Sequence, residues 1–102
     1  PCTKVYEDDW AFAFEDINPQ AAIHTLVIPK GRYVSWDDFS TGASAEEIAG
    51  FIRAVGEVAR AKGLVEPGYR LMANIGADGG QEVPHLHVHI FGGQPLGPMI
   101  AR

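Results

Sequence analysis

Apolar residues recur along the chain in short alternating runs separated by turn residues, with one longer stretch at helical spacing. Lys4–Glu7 and Trp10–Glu15 form a predicted strand pair joined by an Asp8-Asp9 turn, with Phe12 and Phe14 sharing a face. Asn18-Pro19-Gln20 punctuates the chain before a third run, Ile23–Ile28, which Pro29-Lys30-Gly31 closes. A polar loop then leads to the main helix, predicted over Ala45–Lys62. Ser44 and Glu47 have the spacing of a capping box, and Ile48, Phe51, Ile52, Val55 and Val58 recur at helical intervals. Gly63 stops this helix, while Gly50 and Gly56 either weaken it or let a neighbour approach closely. Tyr69–Ile75 and His85–Phe91 read as the fourth and fifth strands. Between them, Asp78-Gly79-Gly80 is either a hairpin turn or a backbone nest for an anion. Strands outnumber helices and short turns join them, which predicts an α+β fold: an antiparallel sheet with one main helix across a face.

At 102 residues the chain is long enough for one domain, spanning 1–102, and for one modest core. With 46% hydrophobic residues it is too apolar for a disordered chain, and no apolar run reaches the roughly 18 residues of a membrane span. A net charge of −5 leaves no basic footprint for a nucleic-acid backbone. The single Cys2 excludes an internal disulfide and points to a reducing compartment such as the cytoplasm. The opening Pro1-Cys2-Thr3-Lys4 has no secretory leader and lacks the initiating Met, so a short N-terminal segment is expected to be missing.

The chemistry concentrates in the histidines. Of the four in the chain, His85, His87 and His89 sit at alternate positions of one predicted strand, and the fourth is His24. Strand alternation puts the three imidazoles on one face and Leu86, Val88 and Ile90 on the other. Three readings are open: a hydrogen-bonded stripe without chemistry, a metal site, or a nucleophilic centre. The outer two histidines lie about 13 Å apart in a strand, too far for one ion. An adjacent pair with His24 could hold a metal, though no carboxylate or thiolate stands out to complete the set. As a nucleophile, a neutral central imidazole attacks phosphorus near pH 7, with flanking imidazoles and turn amides facing the phosphoryl oxygens.

His85-Leu86-His87-Val88-His89, followed by Ile90 and Phe91, resembles the signature of the histidine triad (HIT) superfamily. Asp16 to Ala21, His24, Val27 to Lys30, Asn74 and Asp78 to Val83 are similar to segments of its Hint-like branch. Gly92 to Met99 resembles the C-terminal segment of the bacterial members. This resemblance implies a five-stranded antiparallel sheet that dimerises into a ten-stranded one. It implies a hydrolase or transferase acting at the α-phosphate of purine nucleoside 5′-phosphoramidates, with dinucleoside polyphosphate hydrolysis or regulatory nucleotide binding with little turnover as alternatives. His87 would be the nucleophile and form a nucleotidyl-histidine intermediate. His85 and His89 would line the phosphate site, and His24 would support the cluster. Asp16 would hold the ribose hydroxyls, and Phe14 and Ile17 would lie against the base. Asn74 and the segment Gly80, Gln81, Glu82 and Val83 would face the phosphate. Judged on residue type alone, Asp16 reads equally well as a turn former and Phe14 and Ile17 as ordinary core. No cofactor is required, and a zinc ion on the missing N-terminal segment stays open.

Glu82 departs from the serine that many eukaryotic-like members carry there. A carboxylate beside a phosphate is repulsive unless it is protonated or turned away. Glu82 is thus either a proton donor or a contributor of its backbone N–H alone. Pro84 removes a backbone donor just ahead of the histidine run, which marks a strand start or an edge.

Overall fold

A computed structural model of the chain describes residues 2–100. Five strands, β1 (Lys4–Glu7), β2 (Ala11–Glu15), β3 (Ile23–Pro29), β4 (Arg70–Met72) and β5 (Val88–Gly92), form one antiparallel sheet in the order β1-β2-β3-β5-β4. Two helices, α1 (Trp36–Gly42) and α2 (Ala45–Ala61), connect β3 to β4. The β1–β2 turn closes because the Asp8 carboxylate accepts the N–H groups of Trp10 and Ala11, at 2.7 and 2.9 Å. Ser44 caps α2 reciprocally with Glu47, whose other carboxylate oxygen accepts the Tyr33 hydroxyl at 2.9 Å.

Alternation in the strands decides the core. Ala11 and Ala13 of β2, Val27 of β3, and Val88 and Ile90 of β5 all face α2, which answers with Phe51, Ala54, Val55 and Val58. The two small alanines of β2 let the helix lie close to the sheet. Gly50 serves the same approach, because a Cβ there would collide with the Trp10 ring. Of the two alternatives for that glycine, close packing is the one the structure takes. At Gly56, by contrast, the atoms nearest to an added Cβ are those of the Arg60 guanidinium, at 3.4 Å and beyond.

The expected five-stranded α+β fold is present, with three differences in its parts. The polar loop before the main helix contains α1, capped by Ser35 with Asp38 at the third helical position and anchored by the buried Phe39 against Phe51, ring centroids 5.4 Å apart. The fourth strand is only Arg70–Met72, because the chain leaves the β5 ladder to enter a loop. The fifth strand begins at Val88 rather than His85. Pro84 has no N–H, the His85 N–H turns back to the Val83 carbonyl, and the Leu86 N–H goes to the Tyr33 carbonyl at 2.7 Å. Side chains still alternate through this lead-in, with Leu86, Val88 and Ile90 buried and His85, His87 and His89 half-buried. Among the described residues, no helix is long and apolar enough to cross a membrane.

Gly50→Ala should lower stability by about 1–3 kcal/mol, since overpacking against Trp10 outweighs the gain in helix propensity of about 1 kcal/mol. Gly42→Ala, in open space at the end of α1, should instead raise it by about 0.4–1 kcal/mol. Urea unfolding of both variants gives the comparison.

Candidate active site

The sheet face opposite α2 carries His24 and Leu26 from β3 and His89 and Phe91 from β5, paired in register as Leu26 with His89 and His24 with Phe91. These strands and two loops wall a cleft of about 370 Å³. The β2–β3 turn supplies Asp16, Asn18 and Gln20 at one rim, and the β4–β5 loop supplies Asn74, Gly80, Glu82 and Val83 at another. His87 and His89 lie between, ring centroids 5.1 Å apart at an interplanar angle of 67°. Gly80 closes the turn of the second loop with a φ of +76°, and its N–H returns to the Ala77 carbonyl at 3.1 Å. The chain thus forms a compact turn within a longer loop rather than a tight hairpin.

The protons on the ring nitrogens follow from their fixed partners. The Gln20 backbone N–H donates to His24 Nδ1 at 3.1 Å, so that nitrogen is an acceptor and the proton of a neutral ring sits on Nε2. His24 Nε2–H then donates to His89 Nδ1 at 2.8 Å, which places the His89 proton on Nε2. His89 Nε2 is buried and has no hydrogen-bond partner among the described residues. On His87, Nδ1 lies 2.8 Å from the His85 carbonyl, which can only accept, so Nδ1 carries the proton and Nε2 keeps its lone pair. Burial lowers the pKa of His24 against the opposing pull of Asp16 and Glu15. Burial lowers His89 further, to about 4, with the neighbouring His87 and His24 adding to the effect. Both rings are therefore neutral at pH 7.

Asp16, His24 and His89 bring one carboxylate oxygen and two ring nitrogens within 4.8 Å of one another, so the carboxylate that the sequence did not single out is present. The trio nevertheless does not suit a cation. A metal on His24 Nε2 needs a lone pair where the Gln20 N–H dictates a proton, and a metal-bound ring normally donates from its other nitrogen. The Asp16 carboxylate is instead engaged by the Asn18 N–H at 2.8 Å and lies 3.4 Å from His24 Nε2.

Several expected site residues stand elsewhere. The His85 ring turns away from the cleft to the Pro29 carbonyl, 3.2 Å distant, and lines a separate groove with Lys30, Arg32 and Tyr33. The Gln81 side chain clasps backbone: its amide donates to the Val34 and Val83 carbonyls and its oxygen accepts the Gly76 N–H. Phe14 packs against Phe12 and pairs with Leu26 without lining the cleft, and Ile17 is 90% exposed outside it. The sequence reading missed Gln20, whose backbone sets the proton order. The turn Asn18-Pro19-Gln20 was legible, but not which N–H it would aim at an imidazole.

A model of the HIT domain matches residues 1–96. The chain belongs to the HIT domain family, and it is a HIT-family enzyme of the hydrolase kind. It is similar over all of its 102 residues, at 63% identity, to an uncharacterised 13.2 kDa HIT-like protein of Azospirillum brasilense, covering 84% of that protein. It is 45% identical over 103 aligned positions to the purine nucleoside phosphoramidase of Escherichia coli, covering all of this chain and 85% of that enzyme. Among solved structures, a HIT family hydrolase from Legionella pneumophila superposes with a TM-score of 0.86 at 41% identity, covering 95% of this chain and 86% of that one. A maize relative named a 14 kDa zinc-binding protein is 43% identical over 100 residues, covering 94% of this chain and 75% of its own length.

The lowered pKa of His89 has a defined sign for stability. Above about pH 6.5 the ring is neutral in both folded and unfolded chains and folding carries no proton cost. Between pH 6.5 and 4 the unfolded chain takes up a proton that the folded chain refuses, so stability should fall as pH falls. His89→Gln should flatten that slope, measured as the urea midpoint at successive pH values in this window.

Proposed function

We propose that the protein hydrolyses purine nucleoside 5′-phosphoramidates at the α-phosphate through a covalent nucleotidyl-His87 intermediate, with no cofactor, as a cytoplasmic homodimer. The observation that carries this reading is the tautomer of His87. Its own chain holds Nδ1–H at the His85 carbonyl and leaves the Nε2 lone pair free to attack. The unpartnered His89 Nε2–H offers a donor for a phosphoryl oxygen, and Asn74 and the Gly80–Val83 loop border the same space. Asp16 suits the ribose hydroxyls, with the exposed Ile17 and half-buried Phe14 offering apolar surface to the base. Identity to the Escherichia coli phosphoramidase supports the substrate class.

The reaction divides into two displacements. The substrate nitrogen takes a proton from solvent. The Nε2 lone pair of His87 bonds to phosphorus as the P–N bond breaks, and the nitrogen keeps that electron pair, leaving as an amine that takes a second proton. Water then attacks phosphorus and releases a proton to solvent, the Nε2–P bond breaks, and its pair returns to His87. The products are a nucleoside 5′-monophosphate and an alkylammonium ion.

His87→Ala should lower turnover of an adenosine phosphoramidate by about 10⁴-fold or more and abolish acid-labile labelling of the protein. His85→Ala should keep most of its activity, because the carbonyl that holds His87 belongs to the backbone. Near-normal turnover without His87 would refute the covalent route.

The homodimer is supported by a second feature. On the α2 side, Trp36, Ile52, Tyr69 and Leu71, 40–52% exposed, border an apolar groove of about 390 Å³ beside β4, an edge strand with one open ladder. A second copy brings the same edge and the same groove, a self-complementary arrangement. Light scattering at micromolar concentration should give twice the 11.0 kDa chain mass, and Leu71→Asp should reduce it to one. A fully active 11.0 kDa species would overturn the dimer.

A further inference from the structure

The cleft contains no Lys or Arg among the described residues, yet it contains two carboxylates, Asp16 and Glu82. Asp16 is spoken for by the Asn18 N–H and by His24. Glu82 is exposed, lines the cleft beside Val83 and takes part in no ion pair among the described residues. Of the basic groups near the cleft in sequence, Lys30 and Arg32 line the separate groove with His85, Lys30 is held by Glu7 at 2.7 Å, and Arg70 donates to the Gly97 and Pro98 carbonyls. A site for a phosphate ester therefore presents two carboxylates and no Lys or Arg, and the Glu82 carboxylate has no hydrogen-bond partner among the described residues, an unfavourable choice if anion binding were its only task.

The charge of the leaving group accounts for that carboxylate. We propose that Glu82 is the specificity residue that favours leaving groups departing as cations over those departing as anions, an inference resting on the phosphoramidate reading above. P–N cleavage requires the nitrogen to be protonated before the bond breaks, so positive charge stands on it as it departs, and the released amine takes a second proton to become an ammonium ion. A carboxylate at the rim attracts that charge and attracts still more strongly an amine bearing a second ammonium group. When the scissile bond is P–O to a polyphosphate, the leaving group carries its negative charge past Glu82 and is repelled. Glu82 thus sorts phosphoramidates from dinucleoside polyphosphates by charge alone, and ranks amines in the order cationic, neutral, acidic.

Three adenosine substrates test this: a phosphoramidate of a neutral alkylamine, one of a diamine, and a dinucleoside polyphosphate. The wild-type chain should rank them in that order of charge, diamine first, with the spread shrinking as salt is raised. In Glu82→Gln, kcat/KM for the diamine substrate should fall and that for the polyphosphate should rise, changing their ratio by about tenfold or more. Glu82→Gln keeps the size of an exposed side chain, so a circular-dichroism spectrum matching the wild type ties the change to charge. An unchanged ratio with His87 still labelled overturns the role of Glu82 and leaves the covalent mechanism standing. No labelling of His87 by any of the three substrates overturns both.

Discussion

Leu86, Val88 and Ile90 are locked into the apolar layer between the sheet and α2, and that anchoring orients the imidazoles. An extended backbone leaves no choice: once these three side chains point to the helix, His85, His87 and His89 must point away. Only the last lies in a paired strand, so the lead-in is held by packing and by the Leu86 N–H bond to Tyr33. Leaving the ladder before Val88 frees the His85 carbonyl from strand pairing. It is that carbonyl which accepts the His87 ring proton, so the irregularity introduced at Pro84 helps set the tautomer of the candidate nucleophile.

Proton order in the cleft runs in one direction because its first donor is a backbone amide. Gln20 N–H can only donate, and each ring passes the constraint on, from His24 to His89. The chain ends at a donor with no acceptor among the described residues, an expensive arrangement for a buried group unless a ligand completes it. Burial keeps both rings neutral, so the cleft offers phosphate hydrogen bonds rather than charge. The same proton order excludes the cation that Asp16, His24 and His89 otherwise resemble a cage for. Net charge of the whole chain is then of little consequence to an anionic ligand.

What was legible in the sequence was what depends on local periodicity. Alternation located the strands and the shared face of the histidines, and Ser44 with Glu47 located the start of α2 to the residue. What escaped depends on three-dimensional partners. The α1 helix is short, and its apolar anchor Phe39 is a single residue whose value lies in Phe51. The His85 ring leaves the cleft because the Pro29 carbonyl, 56 residues earlier, is within reach. Gln81 looks like a phosphate contact in sequence, but its amide is consumed by the Val34 and Val83 carbonyls. Spacing shows which face a side chain occupies and not which neighbour it finds there.

The cleft and the apolar groove are two sides of one wall. Val88 borders the groove while its neighbours His87 and His89 border the cleft, and Ala73 borders the groove while Asn74 borders the cleft. Between them lies a single sheet, with Val88 and Ile90 nearly or wholly inaccessible. Groove and cleft therefore stand back to back on the two faces of β5 and of the chain that follows β4. The Gln81 clasp adds a fixed point on the loop that carries Gly80 and Glu82, tying it to Val34, just ahead of α1. The same short stretch of backbone thus presents apolar side chains to the helix side and the imidazoles and Asn74 to the other, because an extended chain alternates.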